Sequence, residues 1–261
     1  MPVIVTKQYR VRMKHEDLFV QTWIPSNEVG TPIILLHDSL GCVRLWRHFP
    51  EMLAKACSRT IIAYDRLGFG QSDAHPDKLS IDFVQSEATG SFHFVRQYLG
   101  VTDFVVVGHS VGGGMAIACA ASDSSACEGV VSISAQAFID TKILTGVQLA
   151  KSYFEQTEQI EKLRKYHGSK AEWVLSAWVD TWSAENFREW SLDHLLPKVK
   201  SPLLCLHGDQ DEYASVDHPR RLVSLVSGKS SLHVMKDCAH FPHRERPDEV
   251  LGLINTFLQE L

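Results

Sequence analysis

The most constraining feature of this sequence is the stretch 105–114, in which an apolar, β-branched run ends abruptly at Gly108. Small residues over 115–121 follow, so the pattern predicts a strand, a very tight turn and then a helix. Ser110 lies in that turn, within the pattern Gly-x-Ser-x-Gly. Such a turn strains its central residue and crowds side chains two residues to either side, so glycine fits at both of those positions. The pattern predicts a serine hydroxyl that projects from the edge of a sheet, above the first amides of a helix.

A five-residue pattern of this kind also occurs in glycine-rich turns that only pack a helix on a strand. Here both the preceding strand and the following helix can be identified in the sequence, and we therefore interpret Ser110 as a nucleophile. The rest of the chain then has to supply the groups that activate it.

Strands and helices alternate along most of the chain. Continuous apolar runs, typical of strands buried on both faces, lie at 32–37, 60–65, 104–107, 129–134 and 202–208. Helical spacing predicts helices over 45–57, 83–99, 115–121, 219–226 and 248–261. Further strands are predicted over 3–12, 18–24 and 231–235, with a turn at 15–17. This alternation predicts right-handed crossovers and a mainly parallel sheet flanked by helices, an α/β fold.

The alternation stops between residues 136 and 197, where the chain is helical in propensity and rich in aromatic residues. We interpret 1–135 together with 198–261 as the core, and 136–197 as an inserted helical cap. Four of the six tryptophans lie in this segment. They form either the cap's own small core or, for Trp178 and Trp182, the apolar wall of a substrate pocket.

Charge and composition exclude several classes of partner. The net charge of -5 argues against nucleic acid, which requires clustered Lys and Arg. No apolar run approaches the length of a membrane span, and residues 1–11 are too polar for a secretory signal. The six cysteines form no Cys-x-x-Cys pair, which favours free thiols. We therefore expect a cytoplasmic protein that acts on a small molecule.

A serine hydroxyl is a weak nucleophile, so it requires a base, and the base requires an acid that orients it. In a parallel sheet, reactive groups gather beyond the carboxyl ends of the strands. Of the 13 histidines, His240 fits this position, because it lies in a loop between the strand at 231–235 and the last helix. His243 is the second choice. His109 is adjacent to Ser110 but points the wrong way on a turn that continues a strand.

The orienting acid is expected in the loop after the strand that ends at Gly208. This loop contains Asp209, Asp211 and Glu212, and a solvated acidic turn is the alternative interpretation. We select Asp211, three residues past the glycine, with Asp209 as the second choice.

The tetrahedral oxyanion that forms when a serine attacks a carbonyl requires two amide donors. One is predicted to be the backbone N–H of Val111, directly after the nucleophile. The other is expected from the loop after the strand at 32–37, where geometry favours the backbone N–H of Ser39.

Motifs at the predicted strand ends resemble those of the α/β-hydrolase superfamily, in the right order and over nearly the whole chain. They are Leu36-His37-Asp38-Ser39-Leu40-Gly41, Tyr64-Asp65-Arg66-Leu67-Gly68-Phe69-Gly70-Gln71-Ser72, Gly108-His109-Ser110-Val111-Gly112-Gly113, Leu206-His207-Gly208-Asp209-Gln210-Asp211 and Ala239-His240. The order Ser, Asp, His along the chain is also the order used by this superfamily. The resemblance implies a mostly parallel eight-stranded sheet, a helical lid after the sixth strand, and Ser110, Asp211 and His240 as triad. It also implies the oxyanion amides of Ser39 and Val111.

One residue departs from the superfamily pattern, because members usually carry His-Gly where this chain has His37-Asp38. Asp38 puts a negative charge near the predicted oxyanion unless its side chain points away. Asp65 and Arg66 are interpreted as a structural ion pair that supports a turn. Haloalkane dehalogenases and soluble epoxide hydrolases use an aspartate nucleophile, so the serine excludes them. No metal-ligand set is visible, and we expect neither a metal nor a cofactor.

These residues predict a serine hydrolase that cleaves a carboxylic ester or thioester of a small to medium apolar substrate through an acyl-enzyme. The same superfamily hydrolyses carbon–carbon bonds in ring-cleavage products with the same triad, which is the first alternative. Cofactor-free peroxidase or lactonase activity is a further one. A ligand-binding relative without useful turnover is an alternative of a different class.

Overall fold

The computed structural model describes residues 2–261, which are built around one eight-stranded sheet. The strands are β1 (Ile4–Met13), β2 (Glu16–Pro25), β3 (Ile33–Leu36), β4 (Ile61–Tyr64), β5 (Phe104–His109), β6 (Cys127–Ile133), β7 (Leu203–Gly208) and β8 (Ser230–Met235). Their order across the sheet is β1-β2-β4-β3-β5-β6-β7-β8. Strand β2 is antiparallel to β1 and β4, and all other neighbours are parallel. The predicted fold class is confirmed.

Helices lie on both faces of the sheet. They are α1 (Phe49–Cys57), α2 (Phe83–Ser86), α3 (Ser91–Leu99), α4 (Val111–Ser122), α5 (Thr141–Phe154), α6 (Thr157–His167), α7 (Ala171–Ser183), α8 (Asp217–Leu225), α9 (Pro242–Glu245) and α10 (Pro247–Gln259). Short 3₁₀ helices cover Val43–Trp46, Gly168–Lys170, Glu185–Phe187 and Leu196–Lys198. The chain between β6 and β7 (residues 134–202, the β6–β7 segment) contains α5, α6 and α7.

The central strands are apolar throughout because both of their faces are covered. Successive side chains of β3 point to opposite faces, and all four are fully buried. Ile34 and Leu36 belong to the same core as residues of α3 and α4, whereas Ile33 and Leu35 belong to the core that includes α1 and α10. Full burial of each such side chain contributes about 1.5–3 kcal/mol.

Two predicted helices differ from those observed. The helix predicted over 83–99 is wrong at its centre, where Gly90 has φ -93° and ψ -126° and separates α2 from α3. Glycine loses the most backbone entropy in a helix, so the helix breaks there. The helix predicted over 45–57 begins only at Phe49, because Arg47 has φ 55° and interrupts the chain after the first 3₁₀ helix.

Two further findings concern the described chain as a whole. Within residues 2–261, no helix combines the length and the apolar character needed to cross a membrane. All six cysteines have free thiols.

The strand order changes direction beside β3. The chain passes from β3 to β4 on one side and then to β5 on the other, so the loops after β3 and β5 leave the sheet next to each other. Leu36 and Gly108 are partners in this register. Ligands of open α/β sheets bind in the crevice that such a reversal creates.

Candidate active site

Ser110 occupies a strained turn between β5 and α4. Its backbone has φ 56° and ψ -126°, which non-glycine residues rarely adopt. A Cβ atom at Gly108 would lie 1.9 Å from the carbonyl oxygen of Gly112, and one at Gly112 would lie 2.1 Å from that of Leu36. This is the crowding that the sequence pattern predicts. The turn therefore requires both glycines for backbone clearance alone.

Asp211, after β7, and His240, after β8, form a buried hydrogen-bonded pair. Nδ1 of His240 lies 2.8 Å from Oδ2 of Asp211. Oδ1 of the same carboxylate accepts the N–H groups of Tyr213 and Ala214 at 2.8 and 2.9 Å. Burial raises the pKa of Asp211, but the hydrogen bond and charge of His240 outweigh this effect, and the pKa is lowered to about 2. An ionised carboxylate only accepts, so it fixes Nδ1 of His240 as a donor.

Ser110 and His240 line one cavity of about 60 Å³ at the carboxyl edge of the sheet. The residues around it are Asp38, Ser39, Leu40, Ser110, Gln136, Ile143, Val147, Trp178, Trp182, Tyr213, His240 and Phe241. Its walls are mainly apolar, with polar side chains that include Ser110, Gln136 and His240. This is the usual character of a small-molecule site.

The hydroxyl of Ser110 contacts the side chain of Gln136, whose Nε2 donates to Oγ at 3.4 Å. Gln136 is buried, and its Oε1 has no hydrogen-bond partner in the described chain. Within the same residues, no hydrogen bond joins Oγ of Ser110 to the ring of His240. In free enzymes the contact between nucleophile and base is often long, and it shortens when substrate binds.

The backbone N–H groups of Ser39 and Val111 are both available as donors. Neither donates to a protein acceptor among residues 2–261. Ser39 lines the cavity from the loop after β3, and Val111 is the first residue of α4, whose opening N–H groups lack intrahelical acceptors. Backbone N–H groups without a protein acceptor are able to bind an anionic oxygen.

The carboxylate of Asp38 is held within the loop after β3. Oδ1 accepts the N–H of Leu40 at 2.9 Å, and Oδ2 lies 3.4 Å from Nδ1 of His109. Burial raises the pKa of Asp38, but its charged surroundings, among them Arg244, outweigh burial and hold the pKa far below its usual range. Since Asp38 also lines the cavity, its negative charge acts on any ligand there.

The expected ion pair between Asp65 and Arg66 is wrong. Asp65 accepts the N–H groups of Val43 and Gln71, both at 2.6 Å. Arg66 donates to the carbonyl oxygen of Asp38 at 2.9 Å. Both side chains support turns through backbone groups, because buried loop amides and carbonyls require partners.

The second choices for base and acid lie outside the cavity lining. His243 is buried among aromatic rings and does not line the cavity. Asp209 accepts a long hydrogen bond, 3.4 Å, from the N–H of Cys238, and its carboxylate makes no hydrogen bond to His240. Among these candidates, His240 is the histidine that lines the cavity with Ser110, and Asp211 is the acid that is hydrogen-bonded to His240.

Trp178 and Trp182 reach the cavity from α7. Trp182 also packs against Phe187 and Trp190. One ring is thus part of the small core of the β6–β7 segment and part of the cavity wall, so the two interpretations of these tryptophans are compatible.

Sequence reasoning missed several lining residues, of which Gln136 and Tyr213 are the most polar. Gln136 lies three residues past the end of β6, and Tyr213 lies two residues past the predicted acid. Both positions lie beyond the carboxyl ends of strands, which is the signal that identifies such residues. The apolar members from α5, Ile143 and Val147, have no such signal, because helical periodicity does not show what a helix covers.

A mostly parallel eight-stranded sheet with a serine on a strained turn between strand and helix is the architecture of an α/β hydrolase. Residues 31–169, more than half of the chain, match the family described as the α/β hydrolase fold. The chain belongs to that family.

Its relatives hydrolyse different bonds. The chain is 29% identical over 206 residues to the serine hydrolase BPHL of Mus musculus, covering 77% of this chain and 69% of the relative. It is 23% identical to the 2-hydroxymuconate semialdehyde hydrolase of Pseudomonas sp. (strain CF600), covering 92% and 91%. The crystal structure of proline iminopeptidase from Mycobacterium smegmatis has a TM-score of 0.74 and 22% identity, covering 97% and 98%. Family membership supports hydrolysis and leaves the bond open.

Proposed function

We propose that this chain is a serine hydrolase that cleaves short, uncharged acyl esters or thioesters through an acyl-enzyme. The observation that carries the proposal is that His240, which is hydrogen-bonded to the buried Asp211, lines one small cavity together with the strained Ser110. A serine, an imidazole and an ionised carboxylate are the groups that activate a hydroxyl when a chain of hydrogen bonds joins them.

In the proposed mechanism, His240 takes the proton of Ser110 as the hydroxyl oxygen attacks the acyl carbonyl. Asp211 stabilises the imidazolium that forms, and the N–H groups of Ser39 and Val111 bind the oxyanion. His240 then gives the proton to the leaving alcohol or thiol. Water, deprotonated by the same imidazole, releases the acid and restores Ser110.

The size and charge of the cavity support a short, uncharged acyl group. Its volume of about 60 Å³ is well below the roughly 300–1,000 Å³ of typical ligand clefts. Its apolar wall includes Ile143, Val147 and Trp178, and its one acidic lining side chain is Asp38. No Lys or Arg of the described chain lines it.

The β6–β7 segment supplies much of the apolar wall, and we propose that residues 136–197 act as a cap on a core formed by 1–135 and 198–261. Ile143 and Val147 come from α5, and Trp178 and Trp182 from α7. A cap of this kind excludes water from the reacting groups, which strengthens the electrostatic interactions there.

Carbon–carbon hydrolysis of ring-cleavage products is the competing hypothesis within the family. A muconate-type substrate carries a carboxylate, which requires a cationic partner in a cavity of low dielectric. This cavity is instead lined by the carboxylate of Asp38, whose negative charge would repel that of the substrate. The geometry therefore favours an ester or thioester.

The first experiment compares Ser110→Ala with wild-type protein in the hydrolysis of p-nitrophenyl acetate. We expect kcat to fall by at least about 10³-fold, because the nucleophile is lost. Ser132→Ala is the matched control. Ser132 is a buried serine paired with Gly108 on the adjacent strand, and it does not line the cavity.

A fluorophosphonate probe separates catalysis from ligand binding. We expect one covalent adduct, on Ser110, in wild-type protein and none in Ser110→Ala. Undiminished turnover by Ser110→Ala would refute the proposal. Absence of both turnover and adduct in wild-type protein would favour a binding protein, and faster cleavage of a vinylogous diketone acid than of any ester would favour the carbon–carbon hydrolase.

A further inference from the structure

The side chain of His109 joins the loop of the proposed base to the strand that carries the proposed nucleophile. His109 is the last residue of β5, directly before Ser110, and is fully buried outside the cavity lining. Its Nε2 lies 2.8 Å from the backbone carbonyl oxygen of His240. Because a carbonyl oxygen only accepts, Nε2 carries a proton and donates it to this bond.

The other ring nitrogen of His109, Nδ1, faces the loop after β3. Nδ1 lies 3.4 Å from Oδ2 of Asp38, after β3. The rings of His240 and His243 pack against His109 with centroid distances of 5.0 and 4.6 Å, and Arg244 acts on Asp38. One imidazole at the end of β5 therefore contacts both the loop after β3 and the loop after β8.

These surroundings favour a single proton on the ring. Burial lowers the pKa of His109, and Asp38 opposes this shift. A charge-assisted hydrogen bond between nitrogen and carboxylate is about 2.7–2.9 Å long. The contact of Nδ1 with Asp38 is longer, 3.4 Å, and Nδ1 has no hydrogen-bond partner in the described chain, so the single proton lies on Nε2.

We propose that His109 is a positioning residue for the base, an inference that rests on the proposed function. The carbonyl that it holds belongs to the residue whose ring takes the proton. The bond therefore fixes the backbone of His240 against the end of β5, at a distance set by one rigid imidazole. The contact with Asp211 orients the ring of His240, and the contact with His109 sets its separation from Ser110.

The test compares His109→Gln with His109→Asn. The amide nitrogen of glutamine reaches the position of Nε2, whereas that of asparagine reaches only the position of Nδ1. With p-nitrophenyl acetate, we expect the Gln variant to keep kcat within about threefold. We expect the Asn variant to lose about 10- to 100-fold with little change in KM, as for a misplacement of about 1 Å. The kcat is expressed per site titrated with fluorophosphonate, so unfolded protein does not contribute.

A merely structural role of His109 predicts another result, in which both variants lower Tm and the number of titratable sites but share the wild-type kcat per site. His218→Gln is the matched control. His218 is buried and hydrogen-bonded through both ring nitrogens, to Ala137 and Asp140. We expect its kcat per site to be unchanged. Equal kcat per site in the Gln and Asn variants of His109 would overturn the proposal.

A second measurement uses the wild-type protein. Histidine ¹⁵N NMR is expected to show His109 protonated at Nε2, and a tautomer protonated at Nδ1 alone would overturn the proposal. Failure of the proposed function is distinguishable, because it appears as full activity of Ser110→Ala. If Ser110→Ala is inactive but His109→Gln and His109→Asn have the same kcat per site, the proposed function stands and the positioning role of His109 is refuted.

Discussion

At the scale of single residues, the turn at Ser110 depends on the absence of side chains at Gly108 and Gly112. The positive φ of Ser110 brings the carbonyl of Gly112 against Gly108, and the start of α4 against the end of β3. Neither approach leaves room for a methyl group. Backbone strain of this kind persists only where surrounding contacts enforce it.

Gly112→Ala should destabilise the protein severely, because the new Cβ would lie 2.1 Å from the carbonyl oxygen of Leu36. We expect a loss of more than about 4 kcal/mol in the free energy of unfolding, measured in urea. Gly114→Ala, in the same helix, is the control. Its Cβ would lie 3.4 Å from the nearest atom, a side-chain carbon of Val84, so little change is expected. Equal stability of both variants would contradict the account of the turn.

Asp38 is a second single residue with a testable effect, because its negative charge should disfavour anionic substrates in the cavity. Wild-type protein should hydrolyse p-nitrophenyl butyrate at least about tenfold faster than the matched hemisuccinate, because a carboxylate in the cavity repels a second one. Asp38→Asn should lower this ratio several-fold, measured as kcat/KM. Asp209→Asn, outside the lining, should leave it unchanged. A ratio that stays the same in Asp38→Asn would show that this carboxylate does not select the substrate.

At the scale of elements, two helices of the β6–β7 segment line the cavity, and we expect them to limit the length of the acyl chain that fits. Helix α5 contributes Ile143 and Val147, and α7 contributes Trp178 and Trp182. The sheet fixes the reacting groups, whereas these helices shape the space around them. Exchange of their side chains should therefore alter specificity more than chemistry.

Trp178→Ala should move the preferred acyl chain to greater length, because removal of the indole extends the cavity. We expect kcat/KM for p-nitrophenyl octanoate to rise about tenfold relative to the acetate. Trp173→Ala is the control, because Trp173 lies in the same helix but packs against Phe69 and His75. We expect it to keep the wild-type preference for chain length. The hypothesis fails if both variants keep the wild-type preference for chain length.

At the scale of the whole molecule, burial of many imidazoles links stability to pH. Burial lowers the pKa of six histidines, whose ordinary value is 6.5: His37, His109, His167, His207, His218 and His243. The pKa of His167 falls to about 4. Between these values the unfolded chain binds more protons than the folded one, so the free energy of unfolding decreases as pH falls.

We therefore expect stability to be highest above pH 6.5 and to decline toward pH 4, measured by urea unfolding at intervals of one pH unit. Asp65 opposes part of this decline, because burial raises its pKa to about 6. His167→Gln should reduce the slope by up to about 1.4 kcal/mol per pH unit, since one proton fewer is taken up on unfolding. Stability that stays constant from pH 6.5 to 4.5 would contradict this linkage. Asp211 adds a further loss at lower pH, because its stabilising ionised form disappears between its ordinary 3.8 and about 2.

Much of the fold was predictable from the sequence because its signals are local. Continuous apolar runs identified the buried strands, and helical spacing identified most helices, including the final one. The break at Gly90 was missed because a single glycine is tolerated in many helices. Asp65 and Arg66 were paired wrongly because each found its partners in loops distant in sequence.

For the site, the sequence by itself determined which residue types stand at strand ends: a serine between two obligatory glycines, then an acid, then a histidine. Spacing and periodicity carry that information because a strand ends at a definite residue. Only the tertiary structure decided the size of the cavity, its lining by Gln136 and Tyr213, and the bond from His109 to the carbonyl of His240. These features depend on the order in which strands assemble, which brings loops more than a hundred residues apart into contact. No local pattern encodes that distance.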